Sequence, residues 1–71
     1  MTLEELIQKL IQTRKDLGLS QREVAKRAGL RQSMISEWET GTHEPKFRSL
    51  QAWAQALGLQ LTAKLEDENH G

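Results

Sequence analysis

An all-α fold followed by one short strand is the fold class that this sequence predicts, and three observations carry it. Apolar residues recur with the 3.6-residue helical period through most of the chain. Glycines stand where each periodic run stops. Only the stretch from Leu59 to Leu65 switches to a period of two.

Leu3, Leu6, Ile7, Leu10, Ile11 and Leu17 fall on one face of a first helix running from about Leu3 to Leu17. Thr2 with Glu5 three residues later makes a capping box at its start, and Gly18 stops it. Ser20 with Glu23 repeats the box and opens a short second helix with Val24, Ala25 and Ala28 inward, closed by Gly29. A third helix, Gln32 to Thr40, carries Ile35 and Trp38 and ends at Gly41. Thr42 to Pro45 reads as a loop. From Lys46 or Phe47 a further helix sets Phe47, Leu50, Trp53, Ala54 and Leu57 on one stripe, with Gly58 as its stop. Trp38, Trp53 and Phe47 all read as core residues on inward stripes. Leu59, Leu61, Ala63 and Leu65 then alternate with Gln60, Thr62 and Lys64, the rhythm of a half-buried strand. The organisation expected is a helical domain over 1–58, a strand over 59–66 and a polar tail over 67–71.

Seventy-one residues give room for one domain, which at this size buries only about 60% of the surface its unfolded chain exposes. Without cysteine there is no disulfide and no Cys-based zinc site, and His43 and His70 are too few for a metal cluster, so no metal or cofactor is expected. Ten Lys/Arg against ten Asp/Glu argue against a simple polycation. The zero is uneven along the chain: residues 14–48 carry eight Lys/Arg and five Asp/Glu, and both flanks are net acidic. No apolar run is long enough to span a membrane and the N-terminus lacks signal-peptide order, so a soluble cytoplasmic protein is expected.

The informative block is Gln21 to Trp38. Two helices meeting steeply across a short turn need a small residue at their closest approach, a glycine free to take positive φ, and apolar residues from both sides filling the angle. Ala25, Gly29, and the set Val24, Ala28, Leu30, Ile35 and Trp38 supply these parts in order, as a helix-turn-helix. A plain helical hairpin with a glycine turn would use the same parts.

The wider run settles on a family. Leu17-Gly18-Leu19-Ser20-Gln21, Glu23-Val24-Ala25, Ala28-Gly29-Leu30, Ile35-Ser36, Glu39-Thr40-Gly41, Pro45 and Ala54-Gln55-Ala56-Leu57-Gly58 together resemble the Cro/C1-type helix-turn-helix family, also called XRE, over about Leu6 to Leu59. The resemblance implies a lambda-repressor-like five-helix domain, usually dimeric, whose third helix enters the DNA major groove. Most members are repressors or antitoxins.

Arg14 lies on the apolar stripe of the first helix, and Glu39 lies four residues after Ile35 on the inward face of the third. Pairing resolves two charges that would each be costly alone, and the resemblance implies a buried pair at these positions. The solvent face of the third helix offers Gln32, Ser33, Ser36 and Glu37 to base edges. Gln32 is the best reader, because Gln pairs in bidentate fashion with adenine, while Glu37 can accept from cytosine N4 but is repelled by phosphate. The resemblance places base contacts at Gln32, Ser33 and Glu37, and sets Gln21 against a phosphate while it braces Gln32. A solvated helix face is the plainer alternative for each.

Phosphate contacts are expected from Arg22, Lys26, Arg31, Lys46 and Arg48, with backbone N–H groups at the starts of the second and fourth helices. Arg31 and Lys46 depart from the family pattern, in which these positions usually hold helix caps. Each exchange gives up a cap and adds positive charge on the side that would face DNA, which fits binding but equally fits drift. His43 reads best as a solvated loop residue. No Ser-His-Asp or paired-carboxylate arrangement is present, so no enzyme is expected.

A lone strand cannot satisfy its backbone, so Leu59, Leu61, Ala63 and Leu65 need a partner. The same segment of a second molecule is the economical one, giving a ribbon across a two-fold axis; a disordered tail or a longer fourth helix is the alternative. Such a strand resembles the HipB-like antitoxins, in which a dimer binds its operator and a toxin kinase. The sequence therefore reads as a homodimeric repressor of double-stranded DNA, with an antitoxin that neutralises a protein toxin as the second reading and a protein-scaffolding module as the third.

Overall fold

The computed structural model describes residues 1–61, which form four helices: α1 (Leu3–Asp16), α2 (Gln21–Ala28), α3 (Gln32–Thr40) and α4 (Phe47–Ala56). The local signals act as read. Thr2 Oγ1 accepts from the Glu5 N–H at 3.1 Å while a Glu5 carboxylate oxygen accepts from the Thr2 N–H at 2.8 Å. Ser20 and Glu23 repeat this reciprocal cap at 3.0 and 2.8 Å. All four helices end alike, with a glycine at positive φ (Gly18, Gly29, Gly41, Gly58). The next residue's N–H then reaches back to a carbonyl five residues earlier: Leu19 to Arg14, Leu30 to Ala25, Thr42 to Glu37 and Leu59 to Ala54, at 2.8–3.0 Å.

The turn from α2 to α3 is the one on which the motif depends. Gly29 has φ 73°, and a Cβ there would meet nothing within 4 Å, so backbone conformation and not crowding demands glycine. Any other residue would pay about 1–2 kcal/mol for that left-handed conformation.

α2 packs against both α3 and α4, and α1 against α3. Between them Leu10, Val24, Ile35 and Trp53 are fully buried, ringed by Ile7, Ala25, Trp38, Leu50, Ala54 and Leu57. The Trp38 and Trp53 rings are tilted by 33° with centroids 5.6 Å apart, within the range of favourable aromatic pairs. The Trp53 indole N–H finds no acceptor among the described residues, a buried donor that costs about 1–3 kcal/mol and is carried by the packing of the large ring.

One polar cluster ties the helices. Arg14 Nε donates to Glu39 Oε2 at 2.8 Å and Arg14 Nη2 to Oε1 at 3.0 Å. Arg14 Nη1 donates to the Leu19 carbonyl at 2.9 Å, and Gln21 Nε2 donates to Glu39 Oε1 at 3.0 Å. The side chains of Arg14 and Glu39 are only 13% and 8% exposed. The expected pair is present, and α1, α2 and α3 all feed it.

Two expectations need correcting. Leu17 is 54% exposed: α1 stops at Asp16, the chain reverses at Gly18, and Leu19 folds onto the core in its place. Phe47 is 46% exposed, because it is the first residue of α4 and the buried stripe begins a turn later at Leu50. A fifth helix is not found among the described residues, where Thr42 to Lys46 is irregular. Of the expected strand over 59–66 only 59–61 are described, where Leu59 and Leu61 are partly buried against the core in irregular backbone and the Leu59 N–H is engaged by the Ala54 carbonyl. Gln51 Nε2 donates to the Leu61 carbonyl at 3.5 Å. Ala63 and Leu65, and the 67–71 tail, lie outside the described residues. No described helix is long and apolar enough to cross a membrane.

Replacing Glu39 by Ala should destabilise the domain by about 3 kcal/mol, the low end for breaking a buried pair, seen as a lower urea midpoint with unchanged slope. The Ser20 backbone N–H and then its hydroxyl hold the Glu23 carboxyl below the usual carboxylate range, with Arg27 adding attraction against slight desolvation. A depressed folded-state pKa means that this stabilisation is complete above the unfolded value of about 4.3 and is lost as pH falls through the folded value. Thermal melts of Glu23→Ala against the parent should therefore show a gap at neutral pH that narrows in acid.

Candidate nucleic-acid interface

α3 buries Ile35 and Trp38 and turns Gln32, Ser33, Ser36, Glu37 and Thr40 to the opposite side. Gln32 and Ser33 are exposed at its first turn, and Ser36 and Glu37 are partly covered. The sequence-predicted readers thus share one face. Behind them Glu39 fastens the inner side of the same helix to α1 and α2.

Around this face Arg22 and Lys26 are exposed on α2, Arg31 at the α2–α3 turn, and Lys46 and Arg48 at the start of α4. Among the described residues none of these five forms an ion pair, so their charge is open to solvent. Arg27 is also exposed but lies one turn from Glu23 and is partly offset by it.

Arg31 and Lys46 have extended, cap-like backbone, yet neither side chain caps its helix. The first-turn N–H groups of α3 and α4 therefore receive no side-chain cap, while α2 already uses Ser20. Of the two backbone sites expected to meet phosphate, α4 has the more open terminus.

Gln21 differs in the bracing role expected of it. Its amide is given to Glu39 instead of bracing Gln32, so it connects α2 to the buried pair. Sequence reading also missed the side chain of His43, whose Nδ1 lies 3.3 Å from Glu37 Oε1. No period or spacing rule joins a loop residue to a helix face across a glycine reversal, so neither contact had a sequence signal.

Comparison with known proteins agrees with this fold. A family model described as helix-turn-helix matches residues 10–63. The antitoxin HigA1 of Mycobacterium tuberculosis is 46% identical over 61 residues, covering 86% of this chain and 41% of HigA1. An uncharacterized HTH-type transcriptional regulator of Sinorhizobium fredii, y4dL, is 45% identical over 58 residues, covering 82% of this chain and 30% of its own. The chain therefore spans less than half the length of these curated relatives. No solved structure matches it.

The uncapped starts give a direct stability test. Arg31→Ser and Lys46→Ser should each stabilise the domain by about 0.5–2 kcal/mol, since the cap backbone is already in place. Differential scanning calorimetry should record a higher melting temperature for both.

Proposed function

The chain belongs to the helix-turn-helix family of Cro/C1 type, and on that membership we propose that it is a sequence-specific DNA-binding transcriptional regulator. Its mode is repression: α3 enters the major groove and a two-fold operator is occupied sterically. The carrying observation is the exposed Gln32 and Ser33 on a helix anchored from behind by Glu39 and flanked by cations that form no ion pair among the described residues. Gln32 reads adenine N6 and N7, a bidentate contact worth about 1–3 kcal/mol of discrimination. Ser33, Ser36 and Glu37 add contacts, while Arg22, Lys26, Arg31, Lys46 and Arg48 meet phosphates and set the register. Gln21 contributes through α2 placement. The protein acts in the cytoplasm and is not an enzyme.

Two copies form the working unit, presenting two α3 helices about 34–36 Å apart to successive major grooves. An open apolar groove of about 240 Å³ supports this reading. It is lined by Leu6, Leu10, Ala54, Leu59 and Leu61 among others, with no residue of α2 or α3, so it leaves the reading face free. Leu59, Leu61, Ala63 and Leu65 pair with the same residues of the second copy in this arrangement.

A second reading rests on the likeness to HigA1, which is named as an antitoxin. In that case the chain also binds and neutralises a protein toxin, and DNA binding is autoregulation. Co-purification of a toxin with the chain from its host supports this reading; a chain that purifies alone counts against it.

Selection of binding sites from random duplex DNA should enrich a two-fold motif. Absence of enrichment at low salt refutes the repressor reading. Gln32→Ala should relax preference at one base position in each half-site, whereas Arg22→Ala should weaken all sequences alike and reduce the salt slope by about one unit.

A further inference from the structure

The loop after α3 is folded back onto the helix at a single residue. The Glu37 carbonyl accepts from the Thr42 N–H at 2.9 Å, the His43 N–H at 3.4 Å and Thr40 Oγ1 at 3.1 Å. Thr40 Oγ1 and Thr42 Oγ1 lie 2.8 Å apart and share a hydrogen bond. Gly41 makes the reversal at φ 82°. At the other three helix ends the residue after the glycine is a leucine packed against the core; here it is the exposed Thr42. This connection therefore lies along the exposed side of α3, and it carries His43 to Glu37, with Nδ1 3.3 Å from Oε1.

The two side chains are 66% and 46% exposed, too open for their attraction to matter to folding. The contact bears instead on direction, because it places a ring nitrogen beside one of the two carboxylate oxygens. A glutamate on a reading helix has freely rotating terminal torsions and a charge that phosphates repel. An imidazole placed there faces Oε1 and leaves Oε2 to accept from a base amino group.

We propose that His43 is a positioning residue for base readout, holding the Glu37 carboxylate so that it selects a cytosine through its N4 amino group. This rests on the reading of α3 as the major-groove helix. The Thr42 and His43 N–H bonds to the Glu37 carbonyl and the reversal at Gly41 fix the loop backbone that carries the imidazole; the imidazole orients the carboxylate; the carboxylate reads the base.

Site selection with quantified enrichment tests it on four proteins: the parent chain, Glu37→Gln, His43→Ala and His43→Asn. The asparagine amide donates from about the place of Nδ1. In the parent, one position per half-site should favour cytosine, and Glu37→Gln should remove that preference. His43→Ala should cut it at the same position by about fivefold, the low end for one polar base contact. His43→Asn should restore most of it. Melting temperatures should stay level for both His43 variants, which separates positioning from folding.

A parent motif that Glu37→Gln leaves unchanged at every position overturns the proposal and spares the regulator reading. So does a His43→Ala profile equal to the parent's, or one weakened evenly over all sequences. A parent chain that enriches no motif overturns both.

Discussion

The Glu39 carboxylate holds the domain to its geometry. It is nearly buried, and its two oxygens are met by Arg14 Nε and Nη2 and by Gln21 Nε2. Arginine offers a planar fork with two parallel donors, which a lysine ammonium cannot match. The third arm of the fork takes the Leu19 carbonyl, so the α1–α2 connection is drawn into the same cluster. Apolar contacts press helices together without much preference for direction, whereas these hydrogen bonds are directional. They set α3 against α1 and α2, and with it the tilt of Gln32 and Ser33.

The repeated helix ending explains how so few residues close a core. Each glycine reversal returns the next residue to the helix just finished, and three times out of four that residue is a leucine that packs inward. Stops and core contacts are thus made by the same residues. The exception after α3 turns its loop outward, where Thr42 and His43 are exposed. A connection spared from core duty lies beside the face that would meet DNA.

Stability and charge are divided in a similar way. α1 and α2 have complete capping boxes, while the starts of α3 and α4 have cations in place of caps. Arg31 and Lys46 leave N–H groups open and add positive charge beside α3, both of which favour an anion. The buried Trp53 N–H, with no acceptor among the described residues, is a second local cost, offset by the aromatic pair that Trp53 forms with Trp38.

The four helices, the capping boxes of α1 and α2, the glycine stops and the Arg14–Glu39 pair were legible in the residues. Capping boxes and left-handed stops act within about five residues, and a charged residue on an apolar stripe demands a partner wherever it comes from. Leu17 and Phe47 mark where that legibility ends: both keep the helical period, yet each sits at a helix terminus with no neighbour to cover it. A period tells which way a side chain points, not whether another element lies there. By itself, then, the sequence determined which segments are helical, which face of each turns inward and which polar residues α3 presents. Only the tertiary structure decided that Gln21 turns to Glu39 and that His43 meets Glu37, because those contacts depend on where remote or reversed segments come to rest.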